Sequence, residues 1–189
     1  METRNQGLLI MLPLLYTNVC RRHSDWMRKS TAAMGSSLFM VLAPGTVAGL
    51  LPWLLTRWEA GHWWLPVRVL GGAVLAMGAV VLVHAFARFV AEGLGTPAPV
   101  APTEHLVVGG LYRHVRNPMY VAVVAAIAGQ GLLLARPILL AYALFAGAVM
   151  WAFATWYEEP KLLSTFGAEY ERYRRAVPGW LPRARAWRG

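Results

Sequence analysis

Cysteine and acidic residues are both scarce in this chain. Cys20 stands alone, so neither an internal disulfide nor a cysteine-rich metal site is available. The five histidines never fall into HExxH-like spacing, and no structural metal is expected. Nine Asp and Glu against 18 Lys and Arg give a net charge of +9. Charged residues together make up 14% of the 189, against about 25% in an ordinary soluble domain. That scarcity excludes a typical soluble enzyme, and no internal repeat suggests a solenoid. What replaces charge is apolar surface: 57% of residues are hydrophobic, with nine Trp, seven Tyr and six Phe suited to the interfacial belts of a membrane protein. A basic chain of this sign could bind nucleic acid, but its arginines flank apolar runs, where they set membrane topology instead.

A bilayer core of about 30 Å needs roughly 20 helical residues, and four stretches approach that length. The first covers residues 32–55, interrupted by Pro44 and Pro52 and carrying Gly45 and Gly49 at the spacing of a small-residue helix contact. The second covers residues 69–90, apolar except for His84 and Arg88 near its end, which read as boundary or packing residues. The third starts at Pro118, a favourable first helical position, and stops before Arg136-Pro137; the fourth covers residues 138–157 and ends in Glu158-Glu159-Pro160. Residues 7–20 are short for a span and contain a proline, and Cys20-Arg21-Arg22 is no cleavage site, so an interfacial or partly inserted segment is expected there. The expected fold is therefore all-α: a polytopic membrane protein with about four core transmembrane helices, an N-terminal interfacial segment over residues 1–30, and a single domain over residues 31–189 ending in an amphipathic helix. Lys and Arg cluster before the first span, between the second and third, and after the fourth, which places both termini and the loop over residues 91–117 in the cytoplasm.

Two segments on that face hold the residues suited to chemistry. The loop ends in GLYRHVRNPMY, and its Gly109-Gly110 can turn backbone N–H groups towards an anion; a plain turn with a basic anchor of Arg113, His114 and Arg116 explains the same residues. Glu158 and Glu159, adjacent carboxylates at the membrane boundary, repel each other and need a cation, either an arginine of the protein or a cationic ligand. Beyond them Leu162, Leu163, Phe166, Tyr170 and Tyr173 recur at helical spacing, and Val177-Pro178-Gly179-Trp180-Leu181-Pro182 forms a turn able to fold back over this face. Arg183, Arg185 and Arg188 suit lipid head groups. Gln130, polar within the third span, suits a hydrogen bond to a neighbouring helix.

Taken together, GLYRHVRNPMY before one span and EEPKLLSTFGAEYERYRRAVPGWLP after the next resemble the isoprenylcysteine carboxyl methyltransferase and phospholipid methyltransferase family of integral membrane enzymes, over about residues 65–182. The Arg116-Asn117-Pro118-Met119-Tyr120 form is similar to the bacterial members, which implies a bacterial inner membrane. The resemblance implies a methyltransferase that uses S-adenosyl-L-methionine and acts on a hydrophobic, membrane-resident acceptor, an isoprenylcysteine-like carboxylate or a lipid head group. It also implies a cofactor pocket of His105, Leu106, Val107, Gly110, Tyr112, Asn117, Pro118 and Tyr120, with Glu158 and Glu159 at the positive end. Arg116 or Arg175 would orient a carboxylate acceptor, and Glu159 would assist deprotonation of an amine. The acceptor would enter sideways from the bilayer. Two other classes fit the same apolar chain: a membrane NADPH-dependent reductase of related architecture, which the acidic pair disfavours, and a non-catalytic membrane subunit or transporter.

Overall fold

The computed structural model describes residues 42–93 and 105–188. The expected interfacial segment at residues 7–20, Cys20, the start of the first expected span and much of the loop before His105 lie outside the described residues. Every described element is helical.

The first helix, α1 (Leu42–Thr56), contains the expected proline distortion. Pro52 has no N–H and its ring crowds the carbonyl one turn earlier. The helix widens in response: Thr46–Leu50 form a π-turn, closed by Leu51 N–H donating to the Thr46 carbonyl. Val47 and Ala48 thereby lose their usual helical donors. Neighbouring helices replace them, because Tyr142 Oη donates to the Val47 carbonyl at 3.0 Å and Gln130 Nε2 to the Ala48 carbonyl at 2.7 Å. In a bilayer no water could do so. Gln130 thus makes the inter-helix bond expected of it.

Gly45 and Gly49 do not make the expected close contact, since no described atom lies within 4 Å of where a Cβ would stand on either. The close approach is instead between α2 (Leu65–Gly93) and α3 (Pro118–Leu133). A Cβ on Gly71 would sit 2.3 Å from Leu133 N, and one on Gly129 2.5 Å from Leu75 N. Two backbones therefore touch where side chains are absent, the packing that a bilayer favours when burial alone drives little association. Behind this contact Val123, Ile127, Ala143 and Ala146 form the core, with Val47, Ala48 and Leu82 against it.

The fourth expected span is α4 (Pro137–Phe153), and it does not stop at Glu158-Glu159-Pro160 as expected. A second π-turn, Ala154–Glu158, leads directly into α5 (Glu159–Ala176). Pro160 is accommodated as Pro52 is: Glu159 N–H reaches back to the Ala154 carbonyl. The chain breaks further on, at Gly167, whose φ of 50° and ψ of −124° are open to glycine and strained for other residues.

Among the described residues, two helices are long and apolar enough to cross a membrane, α2 and the one that starts at Pro137. Only 17% and 22% of their most apolar stretches are buried, so lipid must cover the rest, and the chain is a membrane protein. At sixteen residues α3 reaches about 24 Å, shorter than a full span, and the described part of α1 is shorter still.

Candidate functional site

The segment from His105 to Asn117 is held between α2 and α5. Its first residues alternate in direction: Val107 packs on Ala85 of α2, whereas Leu106 and Val108 pack on Tyr170, Tyr173 and Val177. At Gly110 the chain turns with φ of 54°, opening the short helical turn Gly110–Arg113. The positive φ favours glycine here, and a Cβ would lie 3.1 Å from Arg88 Cγ and 3.4 Å from His84 Nε2, so both side chains stand against the turn. Tyr112 is buried beside Ala85, and its carbonyl accepts a 2.6 Å hydrogen bond from Tyr173 Oη. Pro118 then starts α3 and is buried.

The C-terminal tail folds back over this loop, as its turn residues suggested. Arg116 N–H donates to the Pro178 carbonyl, while Asn117 donates both its N–H and Nδ2 to the Gly179 carbonyl at 3.2 and 3.1 Å. Further along, Arg183 N–H binds the His114 carbonyl, Trp187 N–H binds the Arg113 carbonyl, and the Arg183 guanidinium donates to the Ala176 carbonyl. Arg183 is therefore committed within the protein rather than to lipid. Trp180 stacks on Tyr120, with centroids 6.2 Å apart and planes 15° from parallel.

Under this tail the two carboxylates have separate partners. Glu159 is satisfied by protein cations: Arg116 Nη1 binds its Oε1 at 2.8 Å, and Arg174 Nε approaches its Oε2 at 3.2 Å. The Arg116–Glu159 pair is largely buried, with side chains 14% and 13% exposed, and Nη1 also donates to Tyr170 Oη. Glu158 has no ion pair among the described residues; Tyr120 Oη donates to its Oε1 at 2.6 Å. Burial, and secondarily the neighbouring Glu159, raise its pKa above the usual carboxylate range, while the Tyr120 hydrogen bond opposes the shift. Glu158 lies past α4, beyond the spanning stretch. An ionised carboxylate in a poorly hydrated place with one neutral partner is a strong acceptor for a cation.

The residues singled out from sequence are thus mostly brought together. Leu106, Val107, Gly110, Tyr112, Asn117, Pro118 and Tyr120 form the loop and helix start, with Arg116, Glu158 and Glu159 beside them. His105 is exposed at the loop's edge. Arg175 is not among them: it points outward, 77% exposed, and pairs with Glu171. The residue that faces the site is its neighbour Arg174, which sequence reasoning missed together with the Tyr170 and Trp180 contacts. Spacing alone could not choose between two adjacent arginines without knowing where the helix breaks.

Comparison with curated proteins gave no match. The phospholipid methyltransferase family matches residues 67–169, more than half of the chain, from the first turns of α2 through the loop and both following helices past the two glutamates. Its reach over the loop and the acidic pair agrees with where the folded chain gathers its polar groups, and this membrane protein belongs to the phospholipid methyltransferase family.

Proposed function

We propose that the protein is an S-adenosyl-L-methionine-dependent methyltransferase that modifies the head group of a membrane lipid. The observation that carries the reading is Glu158, a partly buried carboxylate with a single neutral hydrogen-bond partner, next to a glutamate already matched by two arginines. The cofactor combines a positively charged sulfur, an ammonium and carboxylate head, and an adenine ring. The residues present suit it: Glu158 for positive charge, the turn at Gly109-Gly110 for a carboxylate, and Leu106, Val107, Tyr112 and Tyr120 for apolar and aromatic walls, with Asn117 and Pro118 fixing the start of α3 and His105 at the rim. When bound, the cofactor supplies a methyl group activated by positive sulfur.

The remaining work falls to the chain. Tyr120 holds Glu158 through Oε1 and leaves Oε2 for the ligand's positive charge or for the proton of an amine acceptor. Its raised pKa makes Glu158 a stronger base than an ordinary carboxylate. Arg116, rather than orienting an acceptor, joins Glu159 and Tyr170 and so ties the loop to α5; both Arg116 and Glu159 are positioning residues. The tail covers the loop and excludes water, which strengthens each of these interactions. In this reading the chain crosses a bacterial inner membrane several times with both termini and the site in the cytoplasm, the cofactor arrives from water and the acceptor from the bilayer.

Calorimetry of S-adenosyl-L-methionine binding to detergent-purified protein, beside Glu158→Gln and with NADPH as a competing ligand, tests the proposal. Saturable binding that is lost in the variant and indifferent to NADPH supports it. Binding of NADPH in place of S-adenosyl-L-methionine would overturn it in favour of a reductase.

A further inference from the structure

Among the described residues Leu181 is the most exposed large hydrophobic side chain, at 80%; Leu144 and Trp64, the next in order, stand on or beside helices that lipid covers. Leu181 stands instead at the tip of the turn between Pro178 and Pro182, and the tail is tied to the loop on both sides of that tip. Before it, the Gly179 carbonyl accepts from Asn117; after it, Arg183 N–H donates to the His114 carbonyl, and His114 Nδ1 lies 2.8 Å from the Arg183 carbonyl. The loop and the start of α3 thus fix where the tip lies. The helix register gives its depth. Gly71 of α2 lies against Leu133 of α3 and Gly78 against Ala122 and Ala126, so the two helices run antiparallel. At their far end Arg68 Nε donates to the Leu133 carbonyl at 3.1 Å and Arg136 pairs with Glu59, a polar edge that belongs at one surface of the bilayer. Tyr120 precedes Leu133 by thirteen residues and Asn117 by sixteen, about 20 and 24 Å along α3. A hydrocarbon core is about 30 Å thick, and helix tilt only lowers these heights. Trp180, stacked on Tyr120, and Gly179, bonded to Asn117, therefore lie at or just inside the opposite edge of the hydrocarbon. The end of the tail lies further out. Trp187 N–H donates to the Arg113 carbonyl, and the Trp187 carbonyl accepts from Arg113 Nε at 2.6 Å. Arg113 adjoins Tyr112, whose ring lies 6.4 Å from that of Phe89, twenty-one residues and about 31 Å from Arg68. That is the level of the head groups. Arg185 and Arg188 are exposed beside Trp187 and make no ion pair among the described residues, and no acidic residue follows Glu171 in the sequence.

We propose that the tail is seated in the bilayer leaflet on the site's side, with Leu181 among acyl chains at the hydrocarbon edge and Arg185 and Arg188 on anionic head groups. An apolar tip at the deeper level and two cations at the shallower one match the order in which a leaflet presents acyl chains and phosphates. The surface is continuous with the lipid-covered helices, because the tip rests on the first turn of α3. The same tail carries Trp180 onto Tyr120, so its seating is coupled to the cover over Glu158. The seat itself does not depend on the methyltransferase reading.

A spin label at position 181 distinguishes lipid, water and protein as the surroundings of the tip. Leu181→Cys in a Cys20→Ser background is labelled, and the full chain is reconstituted into nanodiscs of phosphatidylcholine with about 30 mol% phosphatidylglycerol. Collisions with oxygen, which concentrates among acyl chains, and with a water-soluble nickel chelate are read by power saturation. The label should meet oxygen at least about threefold more than the chelate. Replacing both arginines, Arg185→Gln with Arg188→Gln, should cut that ratio at least about twofold in the anionic discs and leave it unchanged in pure phosphatidylcholine. If the Cys20→Ser protein is not monodisperse, a ketone-bearing amino acid at position 181 carries the label in the otherwise natural sequence. A label that favours the chelate would place the tip in water, and one shielded from both reagents would place it against protein, a second copy included; either result overturns the proposal. A ratio indifferent to the arginines in anionic discs overturns the head-group contact. Calorimetry with S-adenosylhomocysteine in the same discs keeps the two readings apart: a lipid-seated, charge-dependent tip in a protein that binds no S-adenosylhomocysteine would sustain the seat and sink the methyltransferase reading.

Discussion

Arg174 Nε lies 3.2 Å from Glu159 Oε2, although fifteen residues separate the two along α5. A straight helix would hold them about 22 Å apart. Gly167, at φ 50° and ψ −124°, folds the second half of α5 back so that Arg174 and Tyr170 reach the acidic pair. A Cβ at this position meets no neighbour, so its whole cost is conformational. Gly167→Ala should therefore cost about 1–3 kcal/mol and lower the apparent Tm of the detergent-purified protein. S-adenosyl-L-methionine affinity should fall with it, because the Glu159 frame is disturbed. An unchanged Tm would mean that the bend does not depend on glycine.

The adjacent glutamates should respond differently to the same substitution. Glu158→Gln removes a charge that no protein cation balances, so the fold should keep its Tm while cofactor affinity falls tenfold or more. Glu159→Gln leaves the largely buried Arg116 uncompensated and should cost about 3 kcal/mol of stability. Thermal unfolding and calorimetry on both variants give the comparison. Equal losses of stability would contradict the division of labour between them.

How much of this was legible beforehand differs from residue to residue. Pro118, Arg136-Pro137 and the apolar runs between them located α3 and α4 closely, because chain punctuation by proline is local. The distortion at Pro52 was likewise local, and the turn after Val177 returned over the loop as its glycine and prolines suggested. The helix contact was misplaced at Gly45 and Gly49 because small-residue spacing occurs at several positions, and only three-dimensional packing selects Gly71 and Gly129. Pro160 was read as a stop because the π-turn that absorbs it has no sequence signal of its own. Within the site, the loop glycines were legible as a turn able to present N–H groups, and the two glutamates as a pair in need of a cation, which for Glu159 is supplied by Arg116 and Arg174. The choice of Arg174 over Arg175 was not, since adjacent helical residues differ by about 100° in direction and the bend at Gly167 decides which one turns inward.

Trp180 is the tail's contact with Tyr120, stacked on the ring whose hydroxyl holds Glu158 at the proposed cofactor site. Trp180→Ala removes that stack, worth about 0.5–1.5 kcal/mol, and uncovers Tyr120. Cofactor affinity should drop severalfold with helix content unchanged by circular dichroism. Trp180→Phe should restore most of it. If neither variant alters affinity, the tail is a structural strap with no bearing on the site.

Gln130 and Tyr142 satisfy the two carbonyls that the π-turn of α1 exposes. Gln130→Leu is close in size but leaves the Ala48 carbonyl without a donor in an apolar setting, a cost of about 1–2 kcal/mol. Tyr142→Phe does the same to Val47. Each variant should lower the apparent Tm and leave cofactor affinity unaltered, since neither residue reaches the loop. A fall in affinity would show that α1 supports the site as well as the bundle.

Glu158 also makes cofactor affinity depend on pH in a stated direction. Its pKa is raised, chiefly by burial and further by Glu159, so before ligand binds it takes up a proton at a pH above the range of an ordinary glutamate. A positively charged ligand binds the ionised form, and a protonated Glu158 must lose its proton before binding. Affinity should accordingly be constant well above the raised pKa and decline as pH falls through it, approaching a tenfold loss per unit below, with proton release on binding in that range. Glu158→Gln should be weak and flat across the same window. Calorimetry in two buffers of different ionisation enthalpy measures both the affinity and the released proton. A decline that persists unchanged in Glu158→Gln would assign the titration to another group and remove Glu158 as the contact for positive charge.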